Sequence, residues 1–165
     1  MISVNIPRNV SFIDKLAFNR CYKLVSINVD SENRWYASID GMLCDKKQET
    51  LIYYPAAGKK IINIPNTVKE INEYAFYDCI YQEKLNIPSE TVTIPYGIFK
   101  FLSGLSFIDV DVNSACFTSI DGVLYDKSVS ELIACPRLKD EITIPDGIQT
   151  ISPFAFYSCQ NLRVI

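Results

Sequence analysis

Apolar residues recur along the chain in a spaced template that opens each time with an isoleucine–proline pair. The pairs begin at Ile6, Ile64, Ile87 and Ile144, and the second and third are 23 residues apart. The second copy places Gln82 in a leucine position, and the third copy is weaker. A fixed period of this length predicts a repeat solenoid in which each copy forms one coil. The first copy continues with Val10, Ile13, Ala17, Phe18, Cys21, Leu24 and Ile27, and the fourth with Ile148, Ile151, Ala155, Phe156, Cys159, Leu162 and Ile165.

The opening residues of each copy predict a short β-strand. Residues 85–87 and 142–144 alternate apolar and polar side chains, which is typical of a strand with one buried face. The proline that follows cannot donate a hydrogen bond to a neighbouring strand, so we expect the strand to end there. One coil cannot bury its apolar face alone, and the stacking of successive coils is expected to build a continuous core.

A longer duplication is superposed on this repeat, because Leu24–Pro55 recurs 81 residues later as Leu105–Pro136. Each half therefore consists of one repeat, a long insertion and a second repeat. In both insertions an Asp-Gly pair, at Asp40 and at Asp121, predicts a hairpin turn between strand-like runs. We place the repeats at about residues 4–29, 62–86, 87–112 and 142–165 and the insertions at about 30–58 and 111–138, within one solenoid domain covering 1–165.

Each insertion is predicted to form a small three-stranded meander that projects from the solenoid. The meander either covers an apolar flank of the coil or carries recognition chemistry, since projections on rigid scaffolds often bind ligands.

The template Ile-Pro-x-x-Val-x-x-Ile-x-x-x-Ala-Phe-x-x-Cys-x-x-Leu-x-x-Ile resembles the BspA-like, Treponema pallidum-type leucine-rich-repeat family, over nearly the whole chain. Residues 36–44 and 117–125 of the insertions also resemble segments of that family. The resemblance implies a mainly β solenoid: a right-handed leucine-rich-repeat coil with short strands on the concave face, irregular or short helical turns on the other side, and two inserted β-hairpin or meander segments. It also implies a bacterial, or sometimes protist, protein that is secreted or at the cell surface and adheres to host or neighbouring-cell components.

Composition and charge argue against several classes of function. The net charge is −3 and the basic residues are scattered, so the electrostatic basis for nucleic-acid binding is absent. No apolar run approaches the roughly 20 residues needed to cross a bilayer. Residues 1–7 do not resemble a signal peptide, so we expect no direct membrane insertion and no signal peptide in the given chain. Histidine is absent, which removes the usual general base and the commonest metal ligand. We therefore expect no catalytic residue, metal or cofactor, and no enzyme activity.

The six cysteines are expected to remain free thiols. Cys21, Cys79 and Cys159 share one template position and should point into the core. The cysteine spacings typical of zinc sites are absent. Cys116 and Cys135 are predicted at opposite ends of the second meander, too far apart for a disulfide.

Three carboxylates lie near predicted strand ends, at Asp30, Asp109 and Asp111. They could form a calcium site or a pair of catalytic acids, or they could simply be a solvated rim. We favour the rim, because the sequence fixes neither a partner nor a nearby general acid.

The polar positions of the predicted strands define a candidate binding surface on the concave face. Alternation directs Ile27 and Val29 inward and leaves the side chains between them pointing outward. Phe107 is the predicted apolar anchor of this surface. The surface comprises Ser26, Asn28, Asp30, Asn63, Lys84, Asn86, Phe107, Asp109, Asp111 and Thr143.

Aromatic residues of the first meander define a secondary candidate surface at Trp35, Tyr53 and Tyr54. Tryptophan and tyrosine combine a large contact area with a polar group, as binding hot spots do. These side chains either contact a ligand or pack the meander against the solenoid. Only the first meander is aromatic-rich, because the second has Cys116, Ala134 and Cys135 at the equivalent positions.

These observations predict a non-enzymatic module that binds a protein or glycan ligand through its concave face, as a secreted or cell-surface adhesin does. The alternative is a structural spacer or assembly module of a longer surface protein. Uncapped coils expose sheet edges and apolar ends, so end-to-end self-association is also expected under that alternative.

Overall fold

A computed structural model describes residues 2–163, which fold into a mainly β solenoid of about seven turns. The predicted fold class is therefore confirmed. The final two residues of the fourth repeat lie outside the described residues, as does Met1. The strands are β1 (Ile2–Ile6), β2 (Leu24–Val29), β3 (Tyr36–Ile39), β4 (Met42–Asp45), β5 (Thr50–Tyr53), β6 (Ile61–Asn63), β7 (Glu70–Ile71), β8 (Lys84–Ile87), β9 (Phe107–Val110), β10 (Phe117–Ile120), β11 (Val123–Asp126), β12 (Glu131–Ala134) and β13 (Thr150–Ile151), and one 3-10 helix covers Tyr96–Phe101.

Parallel strands from successive coils pair along one side of the solenoid, which we call the strand face. β1 pairs with β2, and β8 pairs with both β6 and β9. In β8, Leu85 and Ile87 are buried while Lys84 and Asn86 are half-buried, and the strand ends immediately before Pro88. The predicted alternation and the proline break are thus confirmed in this strand. In the last repeat the alternation is present, with Ile142 buried, Thr143 exposed and Ile144 half-buried, but no strand is described over residues 142–144.

The returning part of each coil forms a second and shorter parallel ladder. β5 pairs with β7, whose Glu70 forms a bridge with Thr93 of the next coil, and β12 pairs with β13. Ala75 and Phe76 are completely buried on this side. The amide of Tyr54 donates to the carbonyl of Ala75 at 2.9 Å. A small residue in the alanine position therefore allows one coil's backbone to approach the next.

Each insertion forms the predicted three-stranded antiparallel meander, β3–β4–β5 in the first half and β10–β11–β12 in the second. Both residues of each turn have positive φ, 49° and 81° at Asp40 and Gly41 and 50° and 79° at Asp121 and Gly122. The tightest two-residue hairpins require this backbone conformation. The expectation that the meanders project is wrong, because β5 and β12 also pair in parallel with β7 and β13 and so belong to coils.

The tip of each hairpin closes the edge of the strand face. The amide of Ile27 in β2 donates to the carbonyl of Gly41 at 2.8 Å, and that of Ile108 in β9 donates to the carbonyl of Gly122 at 3.0 Å. Further along the same strands, Val29 and Val110 donate to serine hydroxyls of β3 and β10, each at 3.2 Å. These contacts divide the strand face into two separate sheets, β1–β2 and β6–β8–β9.

The cysteines of the shared template position are not equally buried. Cys79 is completely buried, Cys159 is half-buried and Cys21 is exposed, so the expected inward position is wrong for Cys21. Among the described residues, no coil packs on the outer side of the first one, where the Phe12 side chain is 76% exposed. Burial at this position therefore depends on a coil being stacked on each side, and not on the residue type alone.

Candidate binding surface

Asparagine and aspartate side chains form columns across the strand face. The parallel register places Asn63, Asn86 and Asp109 side by side in β6, β8 and β9. The side-chain amide of Asn86 donates to Oδ1 of Asn63 at 2.7 Å. In the other sheet, the amide of Asn28 donates to Oδ1 of Asn5 at 3.1 Å. Equivalent polar positions in successive coils thus bond to one another and hold these side chains in fixed places.

Lys84 and Phe107 lie next to the second column. They are direct neighbours in the register of β8 and β9. The ammonium of Lys84 donates to Oδ2 of Asp109 at 2.8 Å and lies 5.4 Å from the centre of the Phe107 ring. The ring, 38% exposed, also packs against Gly122 at the hairpin tip, where a Cβ atom would lie only 2.6 Å from its Cδ2. The absence of a side chain at Gly122 therefore makes room for this apolar anchor.

A groove of about 300 Å³ lies at the carboxyl ends of β6, β8 and β9, and we call it the Asn–Asp groove. The Oδ1 atom of Asn86 is buried and has no hydrogen-bond partner among the described residues. Asp111 accepts a bond from the amide of Asn113 at 2.8 Å, which holds the following turn. The groove is lined by Asn63, Ile64, Asn66, Asn86, Ile87, Pro88, Asp109, Val110 and Asp111.

The first half has an equivalent groove of about 400 Å³ at the carboxyl ends of β1 and β2. Asn5, Pro7, Asn28 and Asp30 line it, together with apolar residues of the two strands. Asp30 accepts a hydrogen bond from the amide of Glu32 at 2.8 Å, as Asp111 does from the amide of Asn113. The structure therefore separates Asp30 from Asp109 and Asp111, and no acidic site combines all three carboxylates.

Two residues of the predicted surface lie apart from both grooves. Ser26 is half-buried beneath the first hairpin, because a Cβ atom on Gly41 would lie 2.9 Å from the Cβ of Ser26. Thr143 is exposed, but no described strand contains it. The predicted continuous surface is thus two grooves with Lys84 and Phe107 beside the second.

Comparison with known families settles the classification of this fold. A family model described as BspA type leucine rich repeat region matches six copies, over residues 1–39, 53–133 and 133–165. The chain belongs to this BspA-type family. The template defines four repeats, whereas the family matches also extend into the second insertion and leave residues 40–52 of the first one unmatched. A search of curated proteins gives no significant match.

Solved structures with a similar fold include bacterial leucine-rich proteins. A leucine rich cell surface protein from Faecalibacterium prausnitzii is 26% identical with a TM-score of 0.64, and the match covers 98% of this chain and 41% of that protein. A leucine-rich repeat protein from Eubacterium ventriosum is 18% identical with a TM-score of 0.61, covering 98% and 47%. The pneumococcal vaccine antigen PcpA is 20% identical with a TM-score of 0.60, covering 98% and 38%. This chain therefore spans less than half the length of each.

Of the two uses predicted for the aromatic residues of the first meander, packing against the solenoid is correct for Tyr53 and Tyr54, and a binding surface is wrong for them. Tyr53 and Tyr54 are buried, and their hydroxyls donate to the carbonyls of Phe18 and Ile61, each at 3.3 Å. Burial raises the pKa of both phenols. They face neighbouring coils because β5 is itself part of a BspA-type coil, so they pack the meander against the solenoid.

Trp35 is the exposed member of that predicted set. Its side chain is 46% exposed and lines a depression of about 500 Å³ with Arg8, Asn9, Glu32 and Arg34. Arg8 and Glu32 form an exposed ion pair at 3.0 Å across this depression. An ion pair of this kind contributes little to stability, so these charged groups are available to a ligand.

The thiols contain one close contact that the sequence analysis did not consider. Cys159 lies beside Cys135, with its Sγ 3.6 Å from the Cys135 carbonyl oxygen. The interaction between the two neighbouring thiols raises the pKa of Cys135 and lowers that of Cys159. Cys116, which the sequence analysis compared with Cys135, is half-buried and takes no part in this contact.

Buried polar residues of the weaker repeats were also not predicted as functional. Gln82 is completely buried, and its side-chain amide donates to the carbonyls of Ala56 and Lys59 at 2.7 and 2.8 Å. Thr91 is completely buried and donates to the carbonyl of Val68 at 2.9 Å. The departure of Gln82 from the leucine position was visible in the sequence, and it was the available signal of a special local structure.

Neither a cluster of metal ligands nor a membrane-spanning helix is present in the described residues. Within residues 2–163, no three or more metal-ligating side chains lie close enough together to hold an ion. No helical segment in this range is long and apolar enough to cross a bilayer.

Proposed function

We propose that this chain is a non-enzymatic, adhesin-like module that binds a protein or glycan through the strand face, chiefly in the Asn–Asp groove. The observation that carries this proposal is the column of Asn63, Asn86 and Asp109, whose side chains line the groove and lie side by side on adjacent strands. Amide and carboxylate groups aligned in this way offer donors and acceptors to the polar groups of a protein or to the hydroxyl groups of a glycan.

The groups around the Asn63–Asn86–Asp109 column support binding. Asp109 and Asp111 provide carboxylate acceptors, and Phe107 provides a half-exposed aromatic ring beside them. The ladder bond between Asn63 and Asn86 fixes the asparagine side chains, so that a ligand meets a preorganised polar surface. Membership of the BspA-type family and the likeness to a leucine rich cell surface protein support a secreted or cell-surface location.

The test compares two triple variants in binding to immobilised extracellular-matrix proteins, host surface proteins and glycans. The first variant combines Asn86→Ala, Phe107→Ala and Asp109→Ala. The matched control combines Asn5→Ala, Ser26→Ala and Asn28→Ala at the equivalent positions of the first half. We expect a partner whose binding is lost in the first variant and retained in the control, with cooperative thermal unfolding preserved in both.

Two results would contradict this placement of the site. A partner that binds the first triple variant as tightly as the unmodified chain would exclude the Asn–Asp groove. Absence of binding to every member of the panel, with the protein well folded, would favour a spacer.

The spacer or assembly function is the second candidate, and the exposed outer side of the first coil favours it. Phe12 is 76% and Ile2 52% exposed there, and such apolar surface associates readily with another chain. The chain also spans less than half of each solved neighbour, as a module of a longer protein would. Light scattering should then show a concentration-dependent oligomer that Phe12→Ser dissociates, whereas a strictly monomeric chain would remove the assembly form of this candidate.

A further inference from the structure

A second groove lies at the amino ends of the strands, away from the Asn–Asp groove. Its volume is about 750 Å³, and its lining residues immediately precede β2, β6 and β8. Two exposed tyrosines, Tyr22 and Tyr81, contribute to its walls. Three small residues, Ala56, Ala57 and Gly58, leave room between them. We call this depression the tyrosine groove.

The small residues of the tyrosine groove are held in place by Gln82. Its amide binds the carbonyls of Ala56 and Lys59, and its Oε1 accepts a bond from the Tyr81 amide at 3.2 Å. One buried side chain thus ties the small-residue loop to the tyrosine of the next coil. Gly58 has φ of 81°, and a Cβ atom there would meet nothing within 4 Å, so glycine serves the backbone conformation. Gln82, which replaces the leucine of the template, therefore holds the tyrosine groove in its open shape.

The exposed rings supply its apolar contact area. Tyr22 is 51% and Tyr81 73% exposed, although aromatic side chains of this size usually bury most of their surface. A tyrosine presents a flat apolar face together with a hydroxyl that can donate or accept a hydrogen bond. This combination suits a ring-shaped ligand that is apolar on its face and carries hydroxyl groups at its edge.

The charge of the tyrosine groove is opposite to that of the chain. Lys23, Lys59, Lys60 and Glu83 line it, which gives a local excess of positive charge in a chain of net charge −3. Glu83 forms an ion pair with Lys60 at 2.6 Å. The ammonium of Lys59 donates to the backbone carbonyl of Asp40 at 3.3 Å, and this neutral acceptor does not compensate the positive charge of Lys59. Lys23 is exposed beside Tyr22. An anionic group is therefore favoured here.

The second half lacks this chemistry at the equivalent place. Its depression of about 620 Å³ is lined by Leu138, Asp140, Gln160, Asn161, Leu162 and Arg163, and it has no tyrosine in its lining. The leucine of the template is retained there as Leu162. The tyrosine groove is thus a property of particular side chains in the first half, and not of the repeat.

We propose that the tyrosine groove binds a carbohydrate residue that carries a carboxylate. The sugar ring stacks on Tyr22 and Tyr81, and its carboxylate lies towards the ammonium groups of Lys23 and Lys59. A single charged sugar fits better than a nucleic acid, because a polyanion would be repelled by the remainder of this acidic chain. This site is separate from the Asn–Asp groove, so its test does not depend on the proposed function.

Isothermal titration calorimetry with sialyllactose and with trigalacturonic acid tests the proposal, with lactose as the neutral probe and oligothymidylate as the nucleic-acid probe. We expect saturable binding of an acidic sugar that weakens as salt is added. Tyr22→Ala and Tyr81→Ala should each weaken it roughly tenfold, as loss of an aromatic anchor does. Tyr157→Ala is the matched control, since this tyrosine is exposed outside the groove.

Gln82→Leu restores the repeat template while releasing the loop, so it should weaken binding without loss of cooperative unfolding. The proposal is overturned by absence of binding to both acidic sugars, by equal binding of lactose, by tighter binding of oligothymidylate, or by an equal effect of the Tyr157 control.

Discussion

The two halves of the chain share one backbone plan and differ in the side chains placed upon it. Both halves close a strand edge with an Asp-Gly hairpin, through the amides of Ile27 and Ile108. In the first half, however, Tyr53 and Tyr54 fill the space beneath the meander, where the second half has Ala134 and Cys135. Backbone hydrogen bonds therefore tolerate large changes in the side chains that pack around them.

The surfaces of the two halves diverge further. The polar column of the β1–β2 sheet consists of two asparagines. The column of the β6–β8–β9 sheet consists of two asparagines and Asp109, which forms an ion pair with Lys84. The tyrosine groove occurs at the amino ends of the first half, whereas the second half has Leu162 and Asp140 in the equivalent place. The comparison indicates that the repeat specifies the coil and a few outward positions specify the ligand.

Truncation of the template phenylalanine should give the largest difference between the halves. Phe76 is completely buried with its ring edge-on to Tyr54, whereas Phe156 is only half-buried. We expect Phe76→Ala to lower the free energy of unfolding by about 3–5 kcal/mol and Phe156→Ala to lower it by less. Urea unfolding followed by circular dichroism measures both. If Phe76→Ala does not fold, the milder pair Phe76→Leu and Phe156→Leu provides the same comparison, and equal losses would refute unequal packing.

Substitution of the hairpin glycines should have an intermediate effect. Gly41→Ala and Gly122→Ala each place a side chain at positive φ, at a cost of about 1–2 kcal/mol. The added methyl meets Ser26 in the first half and the ring of Phe107 in the second. Thermal unfolding should therefore show destabilisation of both variants, while only Gly122→Ala should alter binding in the Asn–Asp groove. If ligand binding changed in Gly41→Ala alone, the binding site would be the groove of β1 and β2 and not the Asn–Asp groove.

The smallest expected difference concerns acid stability. Burial raises the pKa of Asp126, but bonds from the hydroxyls of Ser128 and Ser130 and from the amides of Glu131 and Ser130 outweigh it and lower the pKa to about 2. Because the folded-state pKa is depressed, the stabilisation is complete above the ordinary value near 3.8 and is lost as the pH falls through about 2. Solvent screening limits it to about 1 kcal/mol.

Urea titrations at pH 5, 3 and 2 measure this effect. We expect the free energy of unfolding to fall less between pH 5 and pH 2 in Asp126→Asn than in the unmodified chain. Asp45→Asn is the matched control, because Asp45 is the equivalent residue of the first half. It accepts hydrogen bonds from two backbone amides, but Lys47 and Glu49 stand where the second half has Ser128 and Ser130. An equal effect of both substitutions would show that the serine hydroxyls do not distinguish the halves.

The sequence predicts those parts of the fold that depend on local backbone chemistry. The proline after β8 ends a strand because it cannot donate to the ladder, and the Asp-Gly pairs form hairpins because these residues tolerate the positive φ that the turn requires. Much of the strand face was also predictable, since alternation places Asn28, Asn86 and Asp109 outward. These features need no knowledge of which coil lies next to which.

Features that depend on stacking could not be predicted in the same way. The sequence leaves open whether Tyr53 and Tyr54 contact a ligand or pack against the solenoid, and it is the pairing of β5 with β7 that buries them. Cys21 has the same template position as Cys79 but lacks the same surroundings. The partners of Gln82 lie 23 and 26 residues earlier in the chain, in a loop whose conformation the sequence does not specify.

The division of the strand face by the hairpins has a consequence for valency. Each of the two sheets presents its own small groove, with Asn28 and Asp30 in one and Asn86 and Asp109 in the other. A polymeric ligand that is held chiefly in the Asn–Asp groove could also engage the groove of β1 and β2 in the same molecule, if the spacing of its binding groups matches theirs. The second contact would then benefit from a high effective concentration, so that two weak interactions combine into firm retention. Avidity of this kind would increase with every further copy of the duplicated unit, without any change in the individual groove.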